Sequence, residues 1–305
     1  MTRSIPARAR LVAVLVGAAV LVSACGGDDP SADPLPSTGS TAVSTADSTT
    51  TAPPSTEAPT TPSTTGPPPS TEAPPPATAT VPAGAAPVAV MLVGDSVGYT
   101  IGKDLPAALP GVRSVDNRAL VGCGLLTTGD RPPEAVALGV PATYDGCVEP
   151  IEAGDAAGLA AGPDVILLVT GAWERSEHVR DGRPVGPGDP AWTQVVRDAL
   201  RARVQRLGAT GVPVGLWVDP CGPDEEDRRA QAWYRDEVVA PVAEETAAAG
   251  TFVVDPAAAV CAGDRPRAVD GVGDPRPEDG QHWSAAGAAW LWTSWLGPTL
   301  AAGAA

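Results

Sequence analysis

Lysine is almost missing from this sequence: Lys103 is the only one in 305 residues. With a net charge of −16, such a chain has no basic footprint for a phosphate backbone, which excludes nucleic acid as a partner. Histidine is nearly as scarce. His178 and His282 are the only two, and no Cys-x-x-Cys pair occurs, so no metal site is expected. Any chemistry that needs an imidazole base therefore has two candidates. Gly122-x-Gly124 lacks the third glycine and the downstream acid of a dinucleotide fingerprint, and no cofactor is expected.

Residues 26–86 contain no aromatic residue, isoleucine, methionine, lysine or arginine. They consist almost wholly of Ser, Thr, Pro, Ala and Gly with six acids, and "PPSTEAP" occurs in them twice. Such a stretch cannot bury enough apolar surface to offset its ordering entropy, and its prolines make it a semi-stiff spacer. Ahead of it, Arg3, Arg8 and Arg10 precede an apolar run, Leu11 to Val22, well short of the ~20 residues that span a bilayer. The run closes on "LVSAC", which resembles the lipobox of bacterial lipoproteins. The expected organisation is a signal peptide over 1–24, a lipidated Cys25 opening a disordered linker over 25–86, and one folded domain over 87–305. The resemblance implies an exported protein, tethered to the cell membrane and facing its extracytoplasmic side.

With Cys25 set aside, Cys123, Cys147, Cys221 and Cys261 remain. An even count in an exported chain points to two disulfides. Of the three pairings, Cys123–Cys147 with Cys221–Cys261 closes the shorter loops and is the one expected.

From residue 87 on, near-continuous apolar runs alternate with helical stretches. Strands are expected at 88–93, 112–116, 164–170, 212–218 and 251–254, and helices at 97–109, 190–207, 226–248 and 284–296. Runs of this kind suit strands covered on both faces, so the fold expected is a three-layer α/β/α sandwich around a parallel sheet of about five strands, flavodoxin-like. Ligands of such sheets bind beyond the carboxyl ends of the strands. That rim collects Gly94-Asp95-Ser96, Gly171 to Glu174 and Asp219 to Gly222.

Ser96 follows the first strand and is able to cap the next helix, to act as a nucleophile, or both. His178 sits in the charged stretch "ERSEHVRDGRP" and reads as a solvated surface residue. His282 lies in "EDGQHWSAAG", ahead of a helix that Ser284 can cap, with Asp279 three residues earlier. An Asp at that spacing can hold one imidazole nitrogen and leave the other to take a proton from a hydroxyl. Asp270 and Asp274 sit in the acidic loop before this pair, which reads as a flexible loop in preference to a calcium site.

Gly94-Asp95-Ser96 after the first strand, Gly122 in a Gly-rich turn after the second, and Asp279-x-x-His282 before the last helix resemble the SGNH, or GDSL, hydrolases. The resemblance covers roughly 87–300. It implies Ser96 as nucleophile, His282 as general base and Asp279 as its orienter, with backbone N–H groups of Ser96 and Gly122 in the oxyanion hole. One block departs. The family usually carries Gly-x-Asn-Asp after the third strand, with the Asn as a further oxyanion donor. Here Gly171-Ala172-Trp173-Glu174 puts Trp173 in its place. Trp173 donates its indole N–H, or backbone donors suffice, or the site is degenerate. "GAWE" looks like the version in SGNH domains attached to acyltransferase-3 membrane proteins, which modify cell-surface glycans.

The function this implies is an esterase or O-acyltransferase acting on acyl esters of surface carbohydrate, acetyl esters above all, with a membrane acyltransferase as partner. Trp173 and Trp283 are the expected substrate contacts. The alternative from another class is an inactive module of the same fold that binds surface carbohydrate.

Overall fold

The computed structural model describes residues 85–132, 136 and 143–304. The segment expected to be a signal peptide, Cys25 and the Ser/Thr/Pro tract to residue 84 lie outside the described residues. Five strands form one parallel sheet: β1 (Val88–Gly94), β2 (Val112–Asn117), β3 (Val165–Val169), β4 (Val214–Trp217) and β5 (Thr251–Val254), in the order β2-β1-β3-β4-β5. This is the expected three-layer α/β/α sandwich around a five-stranded parallel sheet, with the flavodoxin-type strand order.

The central strands β1, β3 and β4 are apolar because alternate residues enter two different cores, whereas the edge strand β2 buries only Val112. Val90 and Leu92 of β1, with Val165, Leu167 and Val169 of β3, pack on one side. That side is covered by α1 (Ser96–Gly102) and the C-terminal helical segment. Met91, Val93, Ile166 and Leu168 point the other way, under α3 (Pro190–Leu207) and the helix that begins with α4 (Glu225–Trp233). All five residues of β3 are buried. At about 1.5–3 kcal/mol per buried aliphatic side chain, the central strand alone explains why this region reads so plainly.

Two helices differ from expectation. The helix expected over 97–109 ends at Gly102, since Gly102 is a poor helix former and Pro106 turns the residue before it away from the α region. An additional helix, α2 (Val148–Ala160), carries Gly154 and Gly158 and has no clear apolar stripe. It docks by close approach, because a Cβ on Gly158 would come within 2.6 Å of Met91. It is also held by a buried ion pair, Arg203 to Asp155 at 2.8 Å. The helix beginning at α4 continues through a π-helical segment (Tyr234–Val239) into α5 (Ala240–Thr246). The last one comprises α6 (Ala285–Leu291), a second π-helical segment (Trp292–Leu296) and α7 (Gly297–Gly303).

Disulfides join Cys123 to Cys147 and Cys221 to Cys261. A short antiparallel hairpin, His178–Arg180 with Arg183–Val185, turns at Asp181-Gly182. Both turn residues have positive φ, as a two-residue type I′ turn requires.

Candidate active site

The turn from β1 into α1 depends on Gly94. Its φ is +136°, and a Cβ there would sit 1.7 Å from the Val169 carbonyl oxygen. Only glycine lets β1 pass so close to β3. The helix cap is Asp95, not Ser96. Asp95 accepts the Val97 N–H at 2.9 Å through its side chain, which leaves the Ser96 hydroxyl free of capping duty. The second Asp95 oxygen accepts the Ala172 N–H at 3.2 Å and so ties the turn to the loop after β3. Asp95 is fully buried. Burial, then the charges of Asp219 and Glu174, push its carboxyl up to about 8 despite the two N–H donors, so it is protonated at neutral pH.

Ser96 opens α1, and its Oγ lies 2.8 Å from His282 Nε2. His282 Nδ1 lies 2.5 Å from Asp279 Oδ2. The other Asp279 oxygen accepts the N–H groups of Gln281 and His282, each at 2.8 Å. Burial acts to raise the Asp279 pKa, but these bonds from His282 and Gln281 outweigh it and hold the carboxyl below its ordinary value. An ionised Asp279 on Nδ1 fixes the Nδ1–H tautomer and leaves Nε2 as the acceptor facing Ser96.

The loop that carries Asp279 and His282 is fastened from below by Arg276. This guanidinium is only 1% exposed and donates to the carbonyls of Pro220 and Cys221 at 2.9 and 3.0 Å. Asp274 accepts the Arg276 N–H at 2.8 Å. Ser284 caps α6 through the Gly287 N–H, as expected.

The loop after β2 runs alongside the nucleophile, with the Leu120 N–H donating to the Gly94 carbonyl at 2.9 Å. It carries Gly122 with φ +78°. Among the described residues, the backbone N–H groups of Ser96 and Gly122 have no hydrogen-bond partner. They are the donors available to an oxyanion. Arg131 holds this loop: it donates to the Gly122 carbonyl and to the Thr143 carbonyl, with its guanidinium carbon 4.4 Å from the centre of the Tyr144 ring. The Cys123–Cys147 bridge fastens the next residue.

Glu174 joins the two loops that flank Ser96. Fully buried, it accepts the Leu125 N–H at 2.7 Å and the Gly171 N–H at 3.0 Å. Gly124 has no side chain because the carboxylate occupies that space; a Cβ would lie 2.6 Å from Oε1. Trp192 donates to the Glu174 carbonyl at 3.0 Å, and Arg175 donates to the Gly171 carbonyl and to Asp219 at 2.9 and 2.5 Å.

Two expectations are corrected. His178 is not a solvated residue: it is 2% exposed, with its ring 4.3 Å from that of Trp192 and its Nε2 2.9 Å from the Trp173 carbonyl. Trp192 supplies an apolar face that the charged flanking sequence did not suggest. Trp283 does not line a pocket. It is 3% exposed and packs edge-on against Trp217 at 6.2 Å in the core beneath α6, where its indole displaces no substrate. Trp173 is half-buried, and its indole N–H is shielded from solvent without a partner. An N–H closed off in this way is not offered to an open cleft, which favours the hole built of backbone donors.

No family model and no curated protein matches the chain. Among solved structures, the chain is similar to a lipase/acylhydrolase from Enterococcus faecalis at 18% identity and TM-score 0.37, over 66% of this chain and 88% of that one. It is also similar to the periplasmic domain of a lipopolysaccharide acetyltransferase from Salmonella ser. Paratyphi A, at 11% identity and TM-score 0.41, over 69% and 82% of the two chains. Neither likeness bears on activity; the chemistry of this chain stands on the geometry of Ser96, His282 and Asp279.

Proposed function

We propose that this protein is an exported, membrane-tethered serine esterase or O-acyltransferase that acts on acyl esters of cell-surface glycans, acetyl esters above all. The observation that carries the reading is the Oγ–Nε2 separation of 2.8 Å between Ser96 and His282, with Asp279 on the far imidazole nitrogen. A serine hydroxyl is a weak nucleophile until an adjacent base takes its proton, and this arrangement supplies the base and its orienter.

In the first step Ser96 Oγ bonds to the ester carbonyl carbon while His282 Nε2 takes the hydroxyl proton. The carbonyl oxygen gains negative charge and is met by the N–H groups of Ser96 and Gly122, each worth about 3 kcal/mol where such donors are preset. The bond to the leaving oxygen then breaks as His282 returns the proton to it, leaving an acyl-serine. Water or a sugar hydroxyl attacks this ester by the same proton path in reverse. Water as acceptor makes an esterase, and a sugar hydroxyl makes a transferase.

The openness of the site supports a small acyl group on a large alcohol. The side chains of His282 and Asp279 are 35% and 46% exposed, so a polymer can lie across them. "LVSAC" supports lipidation of Cys25, and the long tract supports a stalk that brings the domain to glycan, with a membrane acyltransferase as the donor partner.

A fluorophosphonate probe and p-nitrophenyl acetate test this reading on the wild-type chain and on Ser96→Ala. We expect labelling and turnover in the first and neither in the second. A wild-type chain that is inert to both would instead be a carbohydrate-binding module.

A further inference from the structure

The triad chemistry leaves one large groove unused. Its volume is about 650 Å³, within the roughly 300–1,000 Å³ of small-ligand sites. It lies between the segment Pro184 to Asp189, which leads into α3, and the face of α4 that carries Glu226, Arg229 and Trp233.

The groove shares a wall with the active site. Arg175 lines it and is bonded to Gly171 and Asp219 on the rim, while the next residue of that turn, Ala172, bonds Asp95 beside the nucleophile. On the other side, Asp227 follows the groove residue Glu226 and lies against Gly222 on the rim, where an added Cβ would meet the Asp227 Cβ at 2.5 Å.

The lining has a definite chemistry. The exposed rings of Pro184 and Pro187 offer flat apolar surface, suited to the C–H face of a sugar ring, above a floor that the buried Trp233 closes. Glu177, Glu226 and Glu237 are exposed carboxylates, each able to accept two hydroxyl groups, and Arg229 is an exposed donor. Asp189 is spent on capping α3, and the charge of Arg175 is met by Asp219. Among the described residues that line the groove, the carboxylates of Glu177, Glu226 and Glu237 and the guanidinium of Arg229 are therefore left to a ligand.

From this we infer that the groove binds the glycan part of the ester, and that the glycan it selects is neutral. The inference rests on the reading of Ser96 as the acyl-transferring group. A uronic acid or phosphate-bearing polymer would bring like charge against Glu177, Glu226 and Glu237, whereas neutral sugars offer hydroxyl pairs that carboxylates accept.

The test uses the full chain and three substrates: p-nitrophenyl acetate, an acetylated xylo-oligosaccharide as the neutral glycan, and an acetylated oligogalacturonate as the anionic one. Wild type should prefer the neutral glycan ester to the anionic one by tenfold or more in kcat/KM, about 1.4 kcal/mol. In Arg229→Ala/Glu226→Gln, the ratio of kcat/KM on the neutral glycan ester to that on p-nitrophenyl acetate should fall about tenfold, mainly through KM. An unchanged ratio, or a wild type that prefers the anionic ester, overturns the proposal. If p-nitrophenyl acetate and the fluorophosphonate both fail to react, the catalytic reading is what has failed. Calorimetric titration with deacetylated xylo-oligosaccharide then decides the groove alone: binding weakened about tenfold by the double variant supports it, and no binding by wild type overturns it.

Discussion

Glu174 Oε1 lies 2.7 Å from the backbone nitrogen of Leu125, across 49 residues of sequence, and this bond joins the loop after β3 to the loop that carries Gly122. The other carboxylate oxygen accepts from Gly171, so one side chain sets the spacing of both loops beside Ser96. In Glu174→Gln one of the two N–H groups faces an amide NH₂ in place of an acceptor. We expect a loss of about 1–3 kcal/mol in denaturant unfolding. We also expect kcat to fall more than KM rises, because the displaced Gly122 donor acts in the transition state. A variant that is destabilised with unchanged kcat would make Glu174 purely structural.

Asp95 predicts a pH dependence of stability. Its folded pKa of about 8 lies above the ordinary 3.8, so between these values the native state holds a proton that the unfolded chain has released. Stability from this group is full at low pH and declines as pH rises through that window. Asp95→Asn keeps an acceptor for the Val97 N–H but cannot ionise. Thermal unfolding from pH 5 to 8 should show a falling Tm in wild type and a flatter profile in the variant. Parallel profiles would mean that Asp95 is ionised throughout.

The Cys123–Cys147 bridge closes a separation of 24 residues next to Gly122. Loop-closure entropy puts its contribution at about 3.5 kcal/mol. Cys123→Ser/Cys147→Ser should therefore unfold at lower denaturant concentration, and below its transition its kcat should drop roughly tenfold as the Gly122 donor loses its anchor. Full activity in the folded variant would show that Arg131 alone holds the loop.

Trp173 stands where the SGNH pattern has its side-chain oxyanion donor, yet its indole N–H is closed to solvent. Trp173→Phe should keep kcat on p-nitrophenyl acetate within about fivefold. A fall of about a hundredfold or more would instead identify the indole as a donor.

The parts legible in the sequence are those fixed by burial on two faces or by order along the chain. VAVMLV reads as β1 to within one residue because every position but Ala89 enters a core, and Ser96, Asp279 and His282 announce themselves by order and by the three-residue spacing of the last two. Glu174, Arg131 and Arg276 do not. A single charged residue in a loop looks solvated until the fold brings it donors or carbonyls from far along the chain, as Leu125 is brought to Glu174 and Pro220 to Arg276. His178 misleads for the same reason, since Trp192 covers it. The α2 helix has no stripe to read because glycine contact and the Arg203–Asp155 pair hold it instead of an apolar face.

The central claim is that Ser96 carries the acyl group. Mass spectrometry of the full chain, acid-quenched during turnover of p-nitrophenyl acetate and digested, tests it directly. An acetyl adduct on the peptide containing Ser96, absent from Ser96→Ala, is the predicted result. Turnover at equal rates in both chains with no adduct on that peptide would contradict it.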